Sequence, residues 1–271
     1  MREALKRLVV DENATGITKT TLKGLIARDL LTDDGQLTDS GYQSAIALLP
    51  LAKQCELLDI PLIQGRCETP MGHEIAVLMA LDEAGVECSA FDEGLSILAA
   101  LHATLRPYIL ANPCVRDEMF VFASLSVIRR EIGDESYRQN ISPWLSDNRP
   151  DHAGIAQSAR NLRVIETSKK KASIRLASVI ADDIKGHVTE LTSFLDRPYS
   201  AQSGWPDIAY LDGGKIKFIE VKASDKLISS QIYNILALPK FLAKRLLVIK
   251  VVKKDSELPL SQALKEFLYD R

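Results

Sequence analysis

A mixed α/β (α+β) fold, with a central sheet, flanking helices and an N-terminal mostly helical module, is predicted by three features of the sequence. The first is a strand-hairpin-helix-strand unit near the C-terminus. β-type runs at Ile208 to Leu211 and Ile216 to Val221 flank Asp212-Gly213-Gly214-Lys215, and a third run spans Arg245 to Val252. A helical pattern from Asp225 to Leu238 lies between the last two, with Ser224 as its cap and Pro239 closing it. The second feature is helical periodicity through most of residues 70 to 200. The third is composition: 46% hydrophobic and 26% charged residues over 271 positions are ordinary for a folded chain of one or two domains.

The N-terminal module reads as a helix from Thr20 to Leu30, with Leu22, Leu25 and Ile26 on one stripe, then a turn at Asp34-Gly35 between two short apolar runs, then a helix from Tyr42 to Leu49. Helix, small hairpin and helix in this order resemble the latter half of a winged helix-turn-helix. Lys19, Lys23 and Arg28 are its candidates for phosphate contact, but Asp29, Asp33, Asp34 and Asp39 surround the wing and would repel a duplex backbone. DNA contact and a packing or dimerisation role both stay open. The expected division is a winged-helix-like module over 1–65 and a second domain over 66–271.

Within that second domain, Thr69-Pro70 reads as a helix start and Gly85 as its stop, which makes MGHEIAVLMALDEA one helix. Further helices are expected at Leu95 to Ala111, Asp117 to Ile132 and Ile174 to Leu195. Between the last two, Arg160, Arg163, Lys169, Lys170, Lys171 and Arg175 face the single acid Glu166, so the stretch is either a phosphate track or an exposed basic loop.

Several classes of function are excluded. With 34 basic against 36 acidic residues the formal charge is −2, so nucleic-acid affinity has to come from local clustering. Such clustering exists: residues 214–254 hold ten basic side chains and two acids, Glu220 and Asp225, although Lys253 and Lys254 also read as a solvated strand end. No apolar run has signal-peptide or membrane-spanning length, and a cytoplasmic protein is expected. Cys55, Cys67, Cys88 and Cys114 lack C-x-x-C spacing, which fits reduced, mostly buried thiols. His73-Glu74 opens like H-E-x-x-H, but position 77 is valine, and His102, His152 and His187 are isolated. No phosphate-binding glycine loop or dinucleotide fingerprint is present.

The chemistry concentrates in the C-terminal hairpin. With Gly213-Gly214 as a two-residue turn, Asp212 faces Lys215 and Asp207 falls opposite Glu220. Facing β-carbons are about 5 Å apart, so the two carboxylates repel unless a cation neutralises them. Glu220 and Lys222, two positions apart on one strand, share a face, while Ile219 and Val221 take the other. Two carboxylates that hold a hard divalent ion, with an ammonium beside it, suit phosphodiester hydrolysis.

The residues Pro206-Asp207 and Glu220-Val221-Lys222 resemble the PD-(D/E)XK nuclease superfamily. More narrowly, GWPD followed by FIEVKASDKLISSQ, with Gly204, Asp225, Leu227 and Gln231 at the flanks, resembles its VRR-NUC branch over residues 200–252. The resemblance implies a restriction-endonuclease-like mixed sheet and a Mg²⁺ or Mn²⁺ cofactor. Asp207 and Glu220 would then be metal ligands, Lys222 the catalytic lysine, the Val221 carbonyl a further ligand and Gln231 an active-site helix residue. Lys226 lies beside them as a DNA contact. The superfamily also places an acid on an earlier helix, for which Glu74 is the choice, at the head of an apolar stripe of Val77, Leu78 and Leu81 where its burial would need a compensating ion. Glu190 is the competitor. The long interval from Glu74 to Asp207 is similar to the Fanconi-associated nuclease type, with a helical insertion at about residues 90–180, whereas compact VRR-NUC modules act as dimers.

The expected function is therefore metal-dependent hydrolysis of DNA, with flapped or branched DNA in repair or replication as the substrate the resemblance implies. A homodimer or a helicase or repair partner is compatible with it; a membrane is not expected. Two rivals stand beside it: a sequence-specific restriction-type endonuclease, and a DNA-binding regulator that uses a nuclease fold as a scaffold. Trp205 either stacks on a base or packs under the sheet.

Overall fold

Runs of apolar residues bounded by turns fold into one mixed sheet in the computed structural model, which describes residues 1–11, 16–67, 72–90, 135, 206–223, 226–238, 240–253 and 257–269. The strands among these residues are β1 (Leu62–Arg66), β2 (Cys88–Ala90), β3 (Ile208–Asp212), β4 (Lys215–Lys222) and β5 (Leu246–Val252), in the order β1-β5-β4-β3-β2. β1 and β4 run parallel to β5 on either side of it, whereas β3 is antiparallel to β4 and β2 to β3. Helices α1 (Arg2–Asp11), α2 (Lys19–Ile26), α3 (Asp39–Ala47) and α4 (Leu51–Leu57) precede the sheet. α5 (His73–Glu83) follows β1, α6 (Ser229–Ala237) and α7 (Lys240–Ala243) link β4 to β5, and α8 (Leu260–Tyr269) closes the described chain. The sequence-predicted architecture, a mixed sheet with helices on its flanks, is the one observed.

Alternation along the strands sorts the core into two layers. Ile63, Ile208, Tyr210, Ile219, Val221, Leu247, Ile249 and Val251 meet α5 and α8 on one face. On the other, Ala209, Ile216, Phe218, Leu246 and Val248 meet α6, α7 and the N-terminal helices, represented by Leu5, Leu8, Leu25, Ile46 and Leu51. Coverage on both faces explains why β5, LLVIKVV, reads as an almost unbroken apolar run. β1 crosses the expected boundary at residues 65 and 66 and belongs to the sheet.

Helix limits differ from the sequence expectations for identifiable reasons. α2 stops at Ile26 and not Leu30, because the chain turns through Asp29 at φ 57°. α3 starts at Asp39, ahead of the expected Tyr42, because the Thr38 hydroxyl accepts from the Gly41 amide at 2.9 Å. Where a wing hairpin is expected, one antiparallel bridge pairs Leu31 with Leu37. Thr69 and Pro70, expected as the start of α5, lie outside the described residues; Gly72 is its N-cap. Its C-terminus follows the sequence signal: Gly85, at φ 74°, donates to Asp82 O at 2.8 Å and Val86 donates to Leu81 O at 2.9 Å, a Schellman closure. The helix expected from Asp225 begins at Ser229, and its expected cap Ser224 lies outside the described residues. The helices expected at 95–111, 117–132 and 174–195 lie outside the described residues, as does Cys114. Cys55 is a buried free thiol, while Cys67 and Cys88 are half-buried. Among the described residues no helix is long and apolar enough to cross a membrane.

Candidate active site

The hairpin register is set by its turn. Gly213 and Gly214 have φ of 57° and 75°, the left-handed pair that a two-residue hairpin needs and that side chains resist. β3 and β4 then pair from Asp212 with Lys215 through to Ile208 with Ile219, as the sequence predicts. Ile219 and Val221 belong to the α5 and α8 layer, so Glu220 and Lys222 take the opposite face, with Phe218. Just before β3, Asp207 reaches that face: its amide donates to Ile219 O at 3.0 Å and its Oδ2 accepts from the Val221 amide at 2.7 Å.

Four of the sequence-predicted side chains converge there. The carboxyl groups of Asp207 and Glu220 are in hydrogen-bond contact. Glu220 is 2% exposed, and its Oε1 accepts from Lys222 Nζ at 2.8 Å and from Gln231 Nε2. Gln231, in the first turn of α6, accepts at its Oε1 from the Ile228 amide at 3.1 Å, which fixes its carboxamide between the helix start and Glu220. Lys222 is itself 8% exposed, so its charge is compensated in a largely dry setting. Burial holds the Asp207 carboxyl above the usual aspartate range, against the Val221 amide and the Lys222 charge, and the nearby Glu74 carboxylate adds to the rise.

Glu74 is exposed, not buried beneath the stripe it heads: Val77 and Leu81 point into the core, and the carboxylate sits in the first turn of α5, where the helix dipole favours it. Its charge still reaches Asp207. Lys19, Lys23 and Arg28 are exposed on or next to α2, and Lys226 is half-buried in the segment leading to α6. Glu190, Trp205, Arg160, Arg163, Lys169, Lys170 and Lys171 lie outside the described residues. Among the described residues no three His, Cys, Asp or Glu side chains form a complete metal-binding cluster. The donor chemistry nevertheless suits a hard divalent cation, because a buried carboxyl (Glu220) beside a half-buried one (Asp207) needs either a shared proton or a positive ion between them.

Gln54 was not singled out by the sequence. Its side chain is 0% exposed. Its Nε2 donates to Leu227 O at 3.1 Å and Ile46 O at 3.0 Å, while its Oε1 accepts from the Leu227 amide at 2.9 Å. The side chain thus holds both main-chain groups of Leu227, and with them the segment that delivers Gln231. A polar residue between Leu51, Ala52 and Cys55 in an otherwise apolar helix face was the available signal.

No protein-family model matches the chain, and no curated protein matches it. Among solved structures, it is similar to a crystal structure of paFAN1 bound to a 5′-flap DNA with a gap, at 14% identity and a TM-score of 0.43. That match covers 94% of this chain and 49% of the other, so this chain spans about half the length of its structural neighbour.

Proposed function

We propose that the chain is a Mg²⁺- or Mn²⁺-dependent deoxyribonuclease that hydrolyses phosphodiester bonds, with flapped or branched DNA as its substrate. The observation that carries this reading is the convergence of Asp207, Glu220 and Lys222 on one sheet face, the two carboxyls in contact and the ammonium 2.8 Å from one of them. Lys222 ends β4, whose parallel neighbour β5 runs two residues further, and the carboxyl ends of parallel strands are where open α/β sheets place their ligands.

Asp207 and Glu220 would hold the cation, with the Val221 carbonyl and the Glu74 carboxylate as further oxygens. When bound, such an ion lowers the pKa of a coordinated water and neutralises charge on a phosphoryl oxygen. Lys222, held in place by Glu220, orients the attacking water and offsets the negative charge that builds on the phosphate oxygens. Gln231 keeps the Glu220 carboxylate from turning away, and Asp207 is aimed by the Val221 amide. Water adds to phosphorus and gives up a proton to solvent, the bridging P–O bond breaks, and the departing oxygen takes a proton from solvent. Lys19, Lys23 and Arg28 on the N-terminal module, Lys226 beside the site, and Arg160, Arg163 and Lys169 to Lys171 supply phosphate contacts that choose the DNA shape.

Flap, splayed-arm, four-way and linear DNAs incubated with Mg²⁺ or Mn²⁺ test the reading. Wild type is expected to cut at least one branched form and Glu220→Ala none. Intact DNA in every wild-type lane would refute it.

A further inference from the structure

The basic side chain next along the sheet from the site is unused by the reaction described above. Lys222 on β4 is in register with Lys250 on β5, which is in register with Gln64 on β1. Leu246 and Val248 belong to the layer shared with Phe218, so alternation puts Lys250 on the same face as Lys222. Neighbouring strands lie about 4.8 Å apart. Two ammonium groups therefore start from adjacent positions of one face, an arrangement that like-charge repulsion disfavours. Glu220 compensates Lys222, whereas half-buried Lys250 and exposed Gln64 make no side-chain hydrogen bond or ion pair among the described residues. A cation that is partly withdrawn from water, beside a second cation, is stabilised by an anion, and no described side chain supplies one.

We propose that Lys250, with the Gln64 carboxamide on the next strand, binds the backbone phosphate of DNA adjacent to the one that is cleaved. The row runs across the strands from Lys222, the last residue of β4, through Lys250 of β5 to Gln64 of β1. The two lysines start about 4.8 Å apart on adjacent strands and carry long flexible stems, so a backbone laid along the row can meet Lys222 at one phosphate and Lys250 at its neighbour. This contact positions DNA and reads no base. It deepens the nuclease reading and rests on it for the identity of the neighbouring phosphate.

The test is fluorescence anisotropy of a labelled splayed-arm DNA in EDTA, over a salt series, with the full chain, Lys250→Met, which keeps the aliphatic stem, and Lys250→Arg, which keeps the charge. Lys250→Met is expected to bind several-fold more weakly at low salt and to lower the slope of log K against log salt by about 1, with Lys250→Arg close to wild type. If Lys250→Met does not fold, Lys250→Gln serves in its place. Equal affinity and slope for wild type and variant overturn the proposal, as does wild type that binds no DNA. The nuclease reading fails separately: Lys250-dependent binding by a wild type that cuts nothing with Mg²⁺ or Mn²⁺ keeps the phosphate contact and rejects the enzyme.

Discussion

Asp207 is the carboxyl of the site that half-burial makes harder to ionise. Its folded-state pKa is raised by burial, so the native chain keeps this proton to higher pH than the unfolded chain does. The corresponding stability is fully present below the unfolded value and is lost as pH rises through the folded one. In EDTA, Asp207→Asn removes that dependence. The melting temperature of the variant relative to wild type is expected to climb as pH is raised through and above the aspartate range, and a difference independent of pH would contradict the assignment. This carboxyl, Glu220 and Lys222 were legible because a Gly-Gly turn fixes a register and the two-residue period of a strand fixes a face. The exposure of Glu74 was not, since the stripe beneath it says where Val77 and Leu81 point and nothing about the turn at the helix start.

At the scale of elements, the most consequential joint is the one between α4 and the segment leading to α6. Gln54→Leu leaves the buried N–H and C=O of Leu227 without the partners they have in Gln54, which is expected to cost about 2 kcal/mol or more in urea unfolding. A loss within error of zero would show that these groups find other partners. The packing of α3 makes a second prediction. A Cβ on Gly41 would lie 1.9 Å from the Leu30 carbonyl oxygen, so Gly41→Ala is expected to destabilise by about 1–3 kcal/mol through overpacking, again read from urea melts. Unchanged stability would mean that the two segments separate freely. A polar residue on an apolar helix face marked Gln54, but what it holds was not legible, because the contact spans 173 positions and is made to main chain, which leaves no pattern in residue types. α8 was within reach: Leu260, Ala263, Leu264, Phe267 and Leu268 follow the helical period.

For the whole molecule, the shared layer of N-terminal helices, α6 and central strands implies cooperative folding of those parts. Deleting residues 1–60 would uncover Phe218, Val248 and Ile232 together. The truncated chain is expected not to fold, whereas the full chain should give coincident urea transitions by circular dichroism and fluorescence; a folded truncation would contradict this. The strand-hairpin-helix-strand unit was legible because its parts are contiguous. β1 and β2, of 5 and 3 residues, were not, because each is a strand only by virtue of a partner far along the chain. What the assembled fold achieves is to put an ammonium beside two carboxyls at the strand ends, and the most direct test of its purpose is single-turnover cleavage of pre-bound DNA by wild type and Lys222→Ala. The account predicts that, with protein in excess so that all the DNA is bound in both cases, cleavage is at least about 100-fold slower in the variant, because Lys222 offsets transition-state charge. Equal rates in the two proteins would contradict it.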